Sequence, residues 1–457
     1  MSKTRIHLCF FFLIFFLIAC TNSERKKEKH PVDTVAAVKD QKDSFRISEV
    51  ITSVTCDRNP VLSYSLYLPH QNGGSTKLPA LIFLDPHGDG SFPLYKYKSF
   101  AEKYGVVLIG SNDSKNGINF DETNQIVQGL EAEASERLNI DAKQISLAGF
   151  SGGAKVALVA ASGSPSLLSI IYCGAGLPQL PQQLPPALAI AGLKDMNYTE
   201  VIRADQEFEN NHLRHALIEW NGKHEWSDST TFENAFFWIR FRAMENKIHQ
   251  PDDSIAQAFI RQNSKPFQDP LHEEIRLKKL ISFLAGVVDV SAYTSSLSSL
   301  KKQKKYLSAK EKQQSDFELE SRMKQNYLEC INLKDPLWWR DEVKHLRSLK
   351  SNPMNDRILG YVSLACYSYS NNALKQHDLS SAEKYLAIYA LADRENPDRA
   401  YMQACLYGLM QNKEGAIQSI MEAINYGFKD RLKLLSEPAL AFISNTPEFN
   451  ELIRKIK

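Results

Sequence analysis

From residue 47 to about residue 245, short apolar runs alternate with stretches whose apolar residues recur at helical spacing. Residues 47–56 and 61–68 read as the two strands of a hairpin around Asn59-Pro60. Residues 78–85 (LPALIFLD) form a continuous apolar run, as expected of a strand buried on both faces. Further strands are expected at 106–111, 144–148, 168–173, 187–191 and 216–220, with helices near 92–104, 122–138, 152–161 and 199–210. A chain that alternates in this way folds as a mainly parallel, doubly wound α/β sheet with helices on both faces. Beyond about residue 250 the strand signal stops. Residues 275–286 and 302–330 are helical in composition, and the second is so highly charged that it reads as a solvated helix. The aromatic knot DPLWWR at 335–340 is expected in a core.

Inside the alternation sits Gly149-Phe150-Ser151-Gly152-Gly153, a G-x-S-x-G pattern directly after a strand and directly before a helix. The turn is so tight that side chains two before and two after the serine would collide, so both positions must be small. Its hydroxyl is then held at a helix N-terminus, where partial positive charge favours a developing anion. The longer stretch, Gly149 to Ala157 (GFSGGAKVA), resembles the nucleophile turn of secreted esterases of the α/β-hydrolase superfamily, which read GFSGGA(R/K)VA. The resemblance covers roughly residues 60 to 240, under half of the chain. It implies a serine, an acid and a histidine, in that order along the sequence.

A serine hydroxyl needs a base to take its proton. Of the eleven histidines, His224 is best placed, in Trp220-Asn221-Gly222-Lys223-His224-Glu225-Trp226, just after the last expected strand. The resemblance implies a G-x-H-x-W loop there. His212 and His215 precede the same strand and are expected on a helix end or a loop. The base needs a carboxylate to fix its tautomer. The resemblance puts that acid in the loop after the strand at 187–191, which points to Asp195; Asp205 is the alternative, in helical sequence. An oxyanion needs N–H donors. Gly152 is expected to supply one and the loop Asp85-Pro86-His87-Gly88-Asp89-Gly90 the other, through Gly88 or Asp89, with His87 structural.

Other chemistries fit less well. His224-Glu225 does not extend to H-E-x-x-H, and the glycine turn lacks the G-K-[ST] of a phosphate loop. Asp85, Asp89 and Asp113 do not have the spacing of a calcium loop. No metal and no cofactor are therefore expected.

The two ends carry different signals. Lys3 and Arg5 precede an apolar run at 8–19. Twelve residues make about 18 Å of helix, against a bilayer core of roughly 30 Å. The run fits a secretory signal. It ends in Leu17-Ile18-Ala19-Cys20, which resembles the lipobox of bacterial lipoproteins, in which the cysteine is lipidated after cleavage. That resemblance implies an envelope protein anchored by lipid, with Thr21 tilting the expectation toward the outer membrane. Residues 21–45 then read as a flexible tether. At the other end, Ala382 and Ala416 lie 34 residues apart in similar stretches (SAEKYLAIY and GAIQSIMEA), which looks like tetratricopeptide-type repeats able to present a groove to a protein partner.

The expected organisation is a signal at 1–20, a tether at 21–45, a hydrolase domain at 46–248, a helical linker region at 249–345 and a repeat domain at 346–457. With 43% hydrophobic and 24% charged residues, global disorder and a polytopic membrane protein are excluded. A formal charge of +2, from 55 basic against 53 acidic residues, gives no overall electrostatic reason to bind nucleic acid. The expected activity is cleavage of a small or polymer-borne acyl ester. The rivals are a serine peptidase, and a scaffold lipoprotein whose hydrolase-like core is inactive.

Overall fold

A computed structural model describes residues 45–73, 76–164, 166–349 and 352–456. The expected signal segment, Cys20 and all but the last residue of the tether lie outside the described residues. Eight strands form one sheet: β1 (Val50–Thr55), β2 (Ser63–Tyr67), β3 (Leu78–Leu84), β4 (Val107–Ser111), β5 (Ile140–Phe150), β6 (Ser169–Cys173), β7 (Ala187–Gly192) and β8 (His215–Trp220). Their order across the sheet is β1-β2-β4-β3-β5-β6-β7-β8. β2 runs antiparallel to both its neighbours, and from β4 onward every pairing is parallel. This is the α/β-hydrolase fold.

Five helices follow the strands: α1 (Ser91–Tyr104), α2 (Phe120–Glu136), α3 (Gly152–Ala161), α4 (Tyr198–Asn210) and α5 (Ser229–Glu245). Successive residues of a strand point to opposite faces, so the continuous apolar runs supply two cores at once. Ala80, Ile82 and Leu84 of β3 face a core that includes Ile126, Leu130, Ala157, Leu158, Val201 and Phe208 from α2, α3 and α4. Leu81 and Phe83 face the other core, with Leu94 and Tyr97 of α1 and Phe232 and Phe236 of α5. α5 has no counterpart among the sequence expectations. Phe236, Phe237, Trp238 and Ile239 are consecutive and all buried, so no apolar stripe betrays the helix.

The chain continues through α6 (Asp253–Gln262), α7 (Pro270–Leu284), α8 (Ser291–Lys301), α9 (Lys304–Leu333), α10 (Pro336–Ser348), α11 (Pro353–Lys375), α12 (Leu379–Ala392), α13 (Pro397–Leu409), α14 (Lys413–Asn425), α15 (Arg431–Ser436) and α16 (Pro447–Lys455), with a 3-10 turn at Pro438–Ile443. The domain end expected at 248 is not a break in packing. Ala256 and Phe259 of α6 and Leu280 and Phe283 of α7 join the core beneath α1 and α5. Phe259 and Phe283 stack with ring centroids 4.7 Å apart. A separate helical core begins at Tyr327, well before 346, and takes in Trp339 of the aromatic knot.

α9 joins the two halves. Its 30 residues make about 45 Å of helix. The expectation of a solvated helix holds for most of its length, but Glu320 in its middle is fully buried. In the terminal part, a 34-residue period is visible in the backbone. His377 and Gln411, at the turns between α11 and α12 and between α13 and α14, are both left-handed, at φ 56° and 57°. Asp378 and Asn412 then cap the following helices. Ala382 and Ala416 are both fully buried.

Candidate active site

The turn at Ser151 is strained, and its glycines are required one by one. Ser151 adopts φ 52° and ψ −119°, outside the regions open to an ordinary side chain, at a cost of about 1–3 kcal/mol. A Cβ on Gly149 would lie 2.1 Å from the carbonyl oxygen of Gly153, and one on Gly153 would lie 1.9 Å from that of Leu84. The clash expected between the positions two before and two after the serine is therefore present in the backbone itself. The Ser151 N–H donates to the Cys173 carbonyl at 2.9 Å, which ties the turn to β6.

Three of the residues singled out in the sequence meet here. His224 Nε2 lies 2.9 Å from Ser151 Oγ, and His224 Nδ1 lies 2.9 Å from Asp195 Oδ1. With its proton on Nδ1, the imidazole donates to Asp195 and accepts from the serine hydroxyl, so one tautomer satisfies both contacts. Asp195 is 1% exposed, which keeps water from competing for its carboxylate. The Phe150 ring lies 4.8 Å from the imidazole, centroid to centroid. Asp205, the alternative acid, is elsewhere, 3.6 Å from His215 Nε2.

The loop bearing His224 is held from within the α/β half. Trp226 Nε1 donates to Asp85 at 2.8 Å. Lys96 Nζ donates to the Trp226 carbonyl, and Tyr97 Oη to the Ser227 carbonyl, each at 2.8 Å. Burial lowers the Lys96 amine below its ordinary value. The loop bearing Asp195 connects to the His224 loop through N–H groups. Leu193 donates to Trp220 and Lys194 to Gly222, both at 2.9 Å. Asn197 N–H donates to the Asp195 carboxylate at 2.8 Å, and Asn197 Nδ2 to the Gly174 carbonyl. Cys173, beneath this loop, is a buried free thiol pushed above its ordinary value by burial and by the Asp195 charge.

The loop after β3 departs from one expectation. The Gly88 N–H donates to the Asp85 carbonyl at 3.1 Å, so it is engaged in the turn and is not free for an oxyanion. Gly88 is there for its backbone, at φ 74°. Asp89 accepts from Ser91 and from the Phe92 N–H, at the start of α1. His87 has its Nδ1 3.3 Å from Asp85, whose hydrogen bond raises the imidazole above its ordinary value. Asp113 accepts from the Ser63 N–H at 2.7 Å. Asp85 and Asp113 thus brace the loops around the site.

Some neighbours of the site escape sequence reasoning. Asn116 lies against Gly152 so closely that a Cβ there would be 1.9 Å from its Oδ1. It belongs to a polar loop after β4 that carries no motif. Arg357 Nη1 and Lys324 Nζ, from α11 and α9, donate to the carbonyl oxygens of Leu193 and Met196 at 2.8 and 2.7 Å. At the start of α1, Lys429 lies over the Phe92 ring at 5.9 Å. The helical half therefore reaches both the loop of Asp195 and the start of α1.

No protein family matches the sequence, and no curated relative does either. Solved structures do resemble it. One is an esterase of Pyrobaculum calidifontis, at 15% identity over 44% of this chain and 85% of that one, with a TM-score of 0.35. Another is the S-formylglutathione hydrolase FrmB of Staphylococcus aureus, at 13% identity over 42% and 98%, with a TM-score of 0.35. A third is the fluorophosphonate-binding serine hydrolase FphF of the same organism, at 11% identity over 42% and 99%, with a TM-score of 0.36. Likenesses this distant carry no argument about substrate or mechanism.

Proposed function

We propose that the protein is a serine hydrolase that cleaves acyl esters through an acyl-enzyme. The observation behind this reading is the line of two 2.9 Å contacts from Asp195 through His224 to Ser151, at a turn whose serine is held in a strained conformation. Ser151 Oγ attacks the ester carbon as its proton passes to His224 Nε2. The oxyanion that forms accepts from the N–H of Gly152, at the head of α3. In this reading the second donor is Asp89, since the Gly88 N–H is already engaged. The carbon–alkoxy bond then breaks, and Nε2 returns the proton to the departing alcohol. Water repeats the sequence on the acyl-serine, giving a carboxylic acid and the free hydroxyl. Asp195 orients the imidazole and stabilises its charged form in both halves.

A fluorophosphonate probe and a short p-nitrophenyl ester test the reading. Wild type should be labelled and turn over, and Ser151→Ala should lose labelling and fall in kcat by about 10⁴ to 10⁶. A Ser151→Ala protein as active as wild type would overturn it. We further infer that Cys20 carries a lipid that anchors the enzyme to a bacterial envelope, the outer membrane being favoured. Support comes from the residues at 17–20 and the polar stretch after them. An intact mass of the mature protein that includes Cys20 without acyl chains would remove that anchor.

A further inference from the structure

The acid's loop is short of internal support on one side. The hydrolase domain uses the N–H groups of Leu193, Lys194 and Asp195, which donate to Trp220, Gly222 and Gly192. The Asp195 carbonyl accepts from the Tyr198 N–H. The carbonyls of Leu193 and Met196, on either side of this stretch, accept from the helical half instead. Both carbonyls are partly buried, and the partner of each comes from more than a hundred residues later.

The donors are themselves locked. Arg357 Nε and Nη2 reach the Glu320 carboxylate at 2.9 and 2.6 Å, and Lys324 Nζ reaches it at 2.7 Å. Glu320 is fully buried and Arg357 6% exposed. The Arg357 guanidinium also lies over the Tyr198 ring at 4.8 Å. α11 comes close to the same loop, since a Cβ on Gly360 would lie 3.5 Å from the Met196 Cβ. A buried ion cluster is poor glue, because apolar residues of the same volume hold two surfaces together as well or better. Apolar residues cannot, however, hydrogen-bond two carbonyls flanking an acid.

We propose that Arg357 and Lys324, fixed by Glu320, are positioning residues that hold Asp195 on His224 by gripping the carbonyls of Leu193 and Met196. The proposal rests on the serine-hydrolase reading. It makes the helical half a working part of the site, since the carboxylate keeps its place on Nδ1 only while α9 and α11 are docked. Neither residue touches substrate. Their effect passes through the loop to the imidazole and then to the serine.

The test uses the full chain with four variants. Lys324→Met removes one grip. Arg357→Met removes the other and leaves Glu320 paired with Lys324. Lys324→Arg keeps a donor. Lys278→Met is the control: it breaks the contacts of α7 with Glu209, at the opposite end of α4 from Asp195. The readouts, taken well below each Tm, are the rate of Ser151 labelling by a fluorophosphonate and kcat and KM on p-nitrophenyl acetate. Misplacing the acid should slow labelling and kcat by roughly 10- to 100-fold in both grip-removing variants, with KM nearly unchanged. Lys324→Arg should recover most of the rate, and Lys278→Met should lower Tm but label normally. If Arg357→Met does not fold, Lys324→Met decides alone. Grip variants that are less stable yet label at the wild-type rate overturn the proposal, leaving the cluster as glue. A wild type that does not label at Ser151 overturns the hydrolase reading, and this proposal with it.

Discussion

The turn that carries Ser151 and the loop that carries Asp195 lie at the same edge of one sheet, and they are held in different ways. The serine turn is rigid through its own residues. Gly149 and Gly153 pack backbone to backbone, and β3 closes against them at Leu84. The acid loop has its N–H groups tied to the hydrolase domain and two of its carbonyls tied to α9 and α11. The first arrangement tolerates no added atom and is braced by strands of the sheet. The second draws part of its hydrogen bonding from the docked helical half. In the proposed mechanism, a geometry assembled from both kinds of loop can be damaged locally at Ser151 and remotely at Asp195.

Three substitutions sharpen that contrast. Asp195→Asn should lower kcat by about 10⁴, as expected when an amide favours the wrong imidazole tautomer. A stopped assay with the p-nitrophenyl ester would read it, and a loss under tenfold would place the acid elsewhere. Gly149→Ala should cost about 1–3 kcal/mol in urea unfolding, because its methyl group meets the Gly153 carbonyl oxygen and backbone has to move to admit it. A wild-type midpoint there would deny that the turn is locally determined. Gly360→Ala, on the tail side of the acid loop, meets only ordinary van der Waals contact and should gain up to about 1 kcal/mol from helix propensity. A destabilised protein would mean that α11 is packed against the loop as tightly as the elbow glycines are against each other.

Much of the hydrolase half is legible in the sequence because its strands are buried on both faces and read as unbroken apolar runs. The helix at 152–161 and the strand at 168–173 fall within a residue of the expected positions. β5 begins at Ile140 rather than 144, since its first residues alternate with charged ones. α5 is hidden by the opposite problem: a helix buried on nearly all sides shows no period. The charge run of α9 reads as solvated, and for most of its residues it is. Glu320 and Lys324 look no different in sequence from the exposed Lys312 and Asp316, which pair on the same helix. Gly88 and Asp89 are equal candidates in the sequence, and only the fold shows the Gly88 N–H engaged by the Asp85 carbonyl.

The linear chain determined what depends on neighbours along it. Apolar periodicity set the sheet, and the glycines at 149 and 153 marked the strained elbow, because a clash between residues four apart needs no knowledge of the rest of the molecule. Only the tertiary structure decided which charges are buried, where the helical half docks, and which distant donors meet the carbonyls beside Asp195. Those contacts join residues more than a hundred positions apart, and a hydrogen bond at that separation leaves no trace in local spacing.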